Sequence, residues 1–477
     1  MKYRQSMVID FYELTMANGF FLEGKKDKIV YFDLYFRKTP DNGGYAIFAG
    51  LETMIDYIEN LHFTKEDVEY LRKQKLFDED FLNYLLDFKF TGDIYAFKEG
   101  SIMFPNEPVV TVKAKLIEAQ IIETFLLQTI NHQSLIATKA SRIKFAAQGK
   151  KVLEMGARRA HGESSSILGS RAAYIAGIDG TSNVASDQLF GVPAGGTMAH
   201  SWVQLFDNEY EAFKAYAKYY PNNSTFLVDT YDTLGSGVPN AIKVIKEILL
   251  PNNAKNYSIR IDSGDLTYLA KQARKMFDEA GLPDCKIIVS NALDERLIQT
   301  LITQGAPIDL FGVGERLITA KSDPVFGSVY KLVAIERNNK IVPKIKISDN
   351  EEKITTPHFK KVYRIYAENG KAEADLITLH DEVIDTNVPL TIFDQYSTWK
   401  TKTYEKFTLV EMQHPIFLAG KKVYELPTLK EVRSFTEQGL NSLWEELRRF
   451  DFPHKYYVDL SKKLWDVKQK LIKTNQI

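Results

Sequence analysis

Three stretches decide the fold: "TFLVDTYDT" (225–233), "YSIRIDSGDL" (257–266) and "KIIVSNALDE" (286–295). Each is a short apolar run that ends abruptly on polar or charged residues. Helical stretches separate them, "PNAIKVIKEILL" (239–250) and "LTYLAKQARKMFDEAG" (266–281), and "ERLIQTLITQG" (295–305) follows. The rhythm extends outward in both directions, to "KVLEMGARR" (151–159) and "GVPAGGTMAH" (191–200) upstream and to "IDLFGVGERL" (308–317) downstream. Strand-then-helix units repeated in this way predict a parallel sheet, because parallel neighbours need a crossover between them. Such a series with no Rossmann fingerprint favours an irregular α/β barrel; an open doubly wound sheet is the alternative. The residues that close the apolar runs are Arg158, His200, Asp229, Asp262, Asn291 and Gly312. In a parallel barrel this is the carboxyl end of each strand, where the active site is built.

Composition limits what the site can take. Lys and Arg total 61 against 62 Asp and Glu, a net charge of -1, so no broad positive field exists to recruit a nucleic acid. Phosphate chemistry must then rest on local basic clusters or helix N-termini. Cys285 is the only cysteine, which excludes an intrachain disulfide and points to a reducing, cytoplasmic setting, with the thiol buried and inert. No apolar run reaches the length of a membrane span, and no secretory leader is visible at the N-terminus. His161 and His200 lack zinc-site spacing.

The rest of the chain reads as a second, discontinuous α/β domain. Strands and helices alternate up to about residue 112. After 328, "VYKLVAIERNNKIVPKIKIS" and "KKVYRIYAENGKAEADLITL" read as hairpins turning at Asn-Asn and Asn-Gly. Those strands need a sheet, and the N-terminal strands offer one. The expected division is 1–112 (first part of the N-terminal domain), 113–328 (barrel), 329–400 (strands completing the N-terminal domain) and 401–477 (a helical C-terminal region).

Within the barrel, the residue types favour an anionic substrate. Gly312 and Gly314 follow an apolar run and precede a helix-compatible segment, so their backbone N–H groups suit a phosphate. Lys139 and Arg142 lie three apart on one helical face. Arg260, flanked by Ile259 and Ile261, alternates inward on its strand and needs an anion there. The acids "DTYD" (229–232) and "DSGD" (262–265) suit Mg²⁺ or sugar hydroxyls. Two carboxylates in a barrel mouth also suit a glycosidase, but such an enzyme has no use for the arginines and the glycine loop.

Taken in order, "EMGARRAHG", "GVPAGGTMAHSW", "LVDTYDT", "RIDSGDL", "VSNALDE" and "VYKLVAI", with "DFYELTMANGF" near the N-terminus, resemble the nicotinate phosphoribosyltransferases. The likeness runs from residue 9 to the C-terminal helices. It implies a type II phosphoribosyltransferase that makes nicotinate mononucleotide and diphosphate from nicotinate and phosphoribosyl diphosphate while hydrolysing ATP. That reaction is a C–N bond-forming step of NAD biosynthesis. It implies an α/β barrel with a discontinuous α/β domain, and a homodimer with shared active sites. By the same resemblance His200 is the phosphorylated histidine, Thr197 faces substrate, Tyr12 stacks on the pyridine from across a dimer interface, and Arg260 and Arg158 bind nicotinate. The chemistry of the reaction adds the rest: Lys139, Arg142, Asp265, Gly312 and Gly314 fall to the phosphoribosyl donor, Asp262 is catalytic and with Asp265 accepts from ribose hydroxyls, and Mg²⁺ (or Mn²⁺) falls to the leaving diphosphate. A relative using nicotinamide or quinolinate, and a non-catalytic binder of phosphoribosyl compounds, are the alternatives. One departure stands out: many relatives follow the glycines with Thr or Ser, whereas here Glu315 and Arg316 follow, so Glu315 is expected to point away from phosphate and Arg316 to compensate.

Overall fold

The computed structural model describes residues 4–350 and 353–474. Two compact units divide the chain: Met1–Leu135 with Val325–Ile477, and Ile136–Pro324.

The second unit carries the strand-then-helix series. Its strands are β1 (Lys151–Glu154), β2 (Gly180–Thr181), β3 (Ser224–Leu227), β4 (Tyr257–Ile261), β5 (Lys286–Val289) and β6 (Leu310–Val313). All neighbours pair in parallel, in the spatial order β2-β1-β6-β5-β4-β3. Written on a circle, that order is the chain order one to six, broken only between β2 and β3. The sheet is therefore a barrel with one unpaired seam, a half-barrel, and not a doubly wound sheet whose strand order reverses. The connection that spans the seam carries Thr197 and His200.

The apolar runs close on themselves as their composition requires: Val152, Phe226, Ile259, Ile261, Ile287, Val289, Phe311 and Val313 are all buried. The crossover helices show why each strand stops where it does. In Leu266–Glu279 the buried residues are Leu266, Ala270, Ala273 and Phe277, one face at helical spacing. Asp265 caps that helix by accepting the Tyr268 N–H at 3.0 Å, and Asp294 caps Glu295–Thr303 by accepting the Leu297 N–H at 2.9 Å. The acids after β4 and β5 thus start helices as well as line the strand ends.

The first unit is built on a seven-stranded antiparallel sheet. Its central strand is Val110–Lys115, and next to it Ile29–Tyr35 pairs with Val110–Lys115 on one side and Val329–Arg337 on the other. The hairpin Val329–Arg337/Lys340–Pro343 turns at Asn338 and Asn339, both with positive φ (52° and 56°), the left-handed pair a two-residue turn demands. The second hairpin, Lys360–Tyr366 with Ala372–Leu379, belongs to a separate four-stranded sheet. Residues 401–477 supply the helices Leu429–Ser442 and Lys462–Thr474, and strands as well: Gln413–Leu418 joins the seven-stranded sheet beside Asp93–Phe97, and Tyr457–Leu460 runs parallel to Ala372–Leu379. Periodicity marks those helices; such short strands leave little period-2 signal to read.

Candidate active site

Arg260 sits in β4 between two fully buried isoleucines, so its own side chain faces the other side of the sheet. Its Nη1 donates to the Thr197 hydroxyl, while its Nε is buried with no hydrogen-bond partner. Burial pulls the Arg260 guanidinium below its ordinary pKa. Asp262 and Asp229 act against that shift, and Arg158 adds to it by like-charge repulsion. Two guanidiniums therefore share one neighbourhood, one half-buried with an unused Nε donor and one, Arg158, exposed on the one-turn helix Ala157–Arg159 after β1. A planar anion placed between them relieves the repulsion and satisfies the Nε donor.

Acids and a histidine gather at the ends of β3, β4 and β5. His200 opens the helix His200–Gln204; its Nδ1 lies 3.1 Å from the Thr230 hydroxyl and its Nε2 lies 3.9 Å from Asp262 Oδ2. Asp262 takes a hydrogen bond from Ser290 and gives its own backbone N–H to Asp229 at 2.9 Å. Asp229 also accepts from Ser263 at 2.7 Å, yet its Oδ1 is buried without a partner. An unpaired carboxylate oxygen facing such a cluster suits a cation or a ligand hydroxyl.

The residues expected at phosphate are placed differently from one another. Gly312 is buried inside β6, paired with Leu153, where a Cβ would come within 2.7 Å of Met155 Sδ; its glycine serves close packing between strands. Gly314 follows the strand and opens a single turn, Glu315–Ile318. Glu315 turns to Lys321 (2.6 Å), and Arg316 pairs with Asp294. Lys139 and Arg142, on the helix Glu123–Ala146, are only 3% and 5% exposed. Lys139 Nζ reaches Glu295 at 2.8 Å and Ser322 at 2.7 Å, and Arg142 Nε reaches Glu295 at 3.0 Å. Far from being solvent-facing cations, these two clamp one buried carboxylate beside the β5 and β6 loops. Asp265 already spends one oxygen on its helix cap. Cys285 is buried, and burial pushes its thiol up to about 12, so it is inert as expected.

Tyr12 belongs to the other unit, on the helix Phe11–Leu22, and is 46% exposed beside exposed Phe11 and Met16. Beneath it lies an acidic group, Asp10, Glu13 and Glu123. Burial, and after it Glu123, Glu13 and Asp10, raise the phenol above its ordinary range.

Sequence comparison decides the family. The N-terminal-domain, family and C-terminal-domain profiles of nicotinate phosphoribosyltransferase match residues 7–131, 150–371 and 359–468. The chain is 46% identical to the nicotinate phosphoribosyltransferase of Bacillus subtilis, over 98% of this chain and 95% of that one. The chain belongs to the nicotinate phosphoribosyltransferase family. It is also 38% identical to nicotinate phosphoribosyltransferase pncB2 of Mycobacterium tuberculosis, over 96% of this chain and 92% of that protein. The fold agrees: the crystal structure of human nicotinic acid phosphoribosyltransferase superposes with a TM-score of 0.85 at 27% identity, covering 97% of this chain and 99% of that one.

Within this family member, the site residues differ in how clearly the sequence marks them. Ser290 is the first polar residue after β5, so the strand-end rule that selects Asn291 points to it equally. Asp229 is legible as an acid at a strand end; its orphaned oxygen is not. Glu295, the partner of Lys139 and Arg142, lies 156 and 153 residues from them, and no local pattern predicts such a contact.

Proposed function

We propose that this chain transfers the phosphoribosyl group to nicotinate. Nicotinate and phosphoribosyl diphosphate give nicotinate mononucleotide and diphosphate, a step of NAD biosynthesis, with ATP hydrolysed in the same cycle. The observation that carries the choice of substrate is the Arg260–Arg158 neighbourhood with its unused buried donor, which suits the carboxylate of nicotinate and leaves an amide poorly served. Thr197, held by Arg260, completes that pocket.

The pyridine nitrogen is itself the nucleophile. It bonds to the ribose anomeric carbon as the bond to diphosphate breaks, so no general base is required. Positive charge grows on the ribose, and Asp262, held by Ser290 and by Asp229, supplies the opposing charge. Asp265 and the backbone of Gly314 face the rest of the donor, and Gly312 shapes the floor beneath it. Lys139 and Arg142 act through Glu295, fixing the start of the helix Glu295–Thr303. Among the described residues no group of three or more His, Cys, Asp or Glu side chains forms a metal cage. A Mg²⁺ (or Mn²⁺) ion that arrives with the diphosphate needs only one or two carboxylates, and the unpaired oxygen of Asp229 fits that need. Such an ion would neutralise charge on the leaving group.

His200 takes the γ-phosphoryl group of ATP on an imidazole nitrogen, releasing ADP; water later takes it to phosphate. The phosphohistidine biases the site toward the form that binds the donor, a linkage effect separate from the glycosyl step. Tyr12 completes the pyridine site of a second copy in a homodimer. Incubating the enzyme with nicotinate, nicotinamide or quinolinate, each with and without ATP, and identifying the nucleotide formed tests this reading. It requires nicotinate mononucleotide as the main product and stimulation by ATP. Preferential use of either other pyridine, or binding without turnover, overturns it.

A further inference from the structure

Glu154 is the last residue of β1 and is completely buried. Its Oε1 accepts the backbone N–H of Gly156, and its Oε2 accepts the hydroxyls of Ser170 (2.9 Å) and Thr181 (2.7 Å). All three donors are neutral. A carboxylate taken out of water without a cation is costly, and apolar side chains fill such space at less cost. What distinguishes Glu154 is what those three bonds join. Gly156 starts the turn that bears Arg158 two residues on, and a side chain at Gly156 would strike Gly314 O and Ile318 Cβ, each at 2.7 Å, so this turn has little room to shift. Thr181 lies in β2, at the edge of the seam. Its backbone O accepts the Gly195 N–H at 2.8 Å and its N–H donates to Pro193 O at 2.9 Å, anchoring the segment that continues to Thr197 and His200. Ser170 ties both to the helix Glu163–Ile175, and its hydroxyl is 3.1 Å from that of Thr181.

We infer that Glu154 is a positioning residue for substrate choice: from beneath, it fixes the Arg158 turn on one side and, through Thr181, the Thr197–His200 segment on the other, without touching substrate. The inference rests on the proposed nicotinate pocket, because Arg158 and Thr197 matter to specificity only if they face the carboxylate. A purely structural Glu154 alters stability and all kinetic constants together. A positioning Glu154 alters the nicotinate constants selectively, since a misplacement of about 1 Å costs up to about a hundredfold in a bound geometry.

The experiment compares Glu154→Ala, Glu154→Gln and Arg158→Ala in the full-length protein without ATP, so that the His200 step does not enter, measuring KM for nicotinate and for phosphoribosyl diphosphate, the nicotinate-over-nicotinamide ratio of kcat/KM, and the thermal midpoint. Glu154→Ala is expected to raise the nicotinate KM roughly tenfold or more and to lower the ratio, with the donor KM within about threefold. Glu154→Gln is expected to recover most of the loss: its amide oxygen keeps the Gly156 bond, and the Ser170 and Thr181 hydroxyls can turn to accept from its nitrogen. An unchanged nicotinate KM in Glu154→Ala, a parallel rise of both KM values, or Glu154→Gln as impaired as Glu154→Ala overturns the inference. Should Glu154→Ala not fold, Ser170→Ala takes its place, with a smaller rise confined to nicotinate expected and any other pattern overturning it. If Arg158→Ala itself leaves the nicotinate KM unchanged, the pocket reading fails; if Arg158→Ala impairs nicotinate use and Glu154→Ala does not, the role of Glu154 alone fails.

Discussion

The Arg260 guanidinium donates to the hydroxyl of Thr197, a residue 63 positions earlier in the chain and on the connection that spans the barrel seam. That bond fixes one edge of a half-buried arginine and leaves its buried Nε without a partner. It also joins the end of β4 to the connection that carries His200, whose imidazole faces Thr230 and Asp262 from the same segment. Thr197 and His200 therefore share one segment of chain, tied at both residues to the ends of β3 and β4.

His200→Asn is expected to abolish ATP hydrolysis and ATP stimulation while leaving slow nucleotide synthesis measurable. Asn keeps a donor and an acceptor near Thr230 but cannot carry the phosphoryl group. Incubation with γ-labelled ATP should label the parent protein in an acid-labile, base-stable form and leave His200→Asn unlabelled. A His200→Asn protein still stimulated by ATP contradicts the assignment.

Lys139→Met leaves Glu295 buried with one fewer cation. Breaking a buried pair of this kind costs roughly 3–5 kcal/mol, so the thermal midpoint should fall by many degrees, and chemical denaturation measures the loss directly. If instead stability is untouched and only the KM for phosphoribosyl diphosphate rises, Lys139 contacts the donor and the clamp on Glu295 is incidental.

Glu13 gives the first unit a pH dependence. It is buried, bonded to Thr124 and close to Glu123 and Asp10. Burial, which outweighs the Thr124 hydrogen bond, pushes its carboxyl up from 4.5 to about 8. Because the folded value lies above the unfolded one, the protonated acid contributes stability that is fully present below about 4.5 and lost as pH rises through about 8. Thermal midpoints should decline across that window, and Glu13→Gln should flatten the decline. A slope identical in the variant assigns the effect to other groups.

Tyr12 and Arg260 lie in different units, and the proposed homodimer has each active site draw on both copies. Mixing inactive Tyr12→Ala with inactive Arg260→Ala should then restore part of the activity through hybrid sites. A fully active preparation shown by sedimentation to be monomeric contradicts sharing.

Much of this architecture is legible in the order of residues alone. Apolar runs separated by amphipathic stretches specify the parallel sheet, and Asn338–Asn339 specify a hairpin, because side-chain period and turn chemistry are local properties. The strand-end rule finds Arg158, Asp229 and Asp262, and Arg260 is found from the strand it interrupts. The seam between β2 and β3 is not legible, since nothing local says which two strands fail to pair. Nor is the burial of Lys139 and Arg142: a cation on an amphipathic helix reads as solvated unless its partner is known. Asp265 shows a third limit, for an acid after a strand suits a ligand and a helix cap equally well, and the cap it makes through one oxygen does not decide the role of the other.

In the proposed function, Arg260 with Arg158 selects a carboxylate. The most direct test is the nicotinate-over-nicotinamide ratio of kcat/KM in the parent enzyme and in Arg260→Ala. Leaving the nicotinate carboxylate without this half-buried guanidinium costs up to roughly 3–5 kcal/mol, so the parent should strongly prefer nicotinate and the variant should lose that preference by about a hundredfold, with the KM for phosphoribosyl diphosphate little changed. A parent enzyme that uses both pyridines equally, or a variant that keeps the preference, contradicts it.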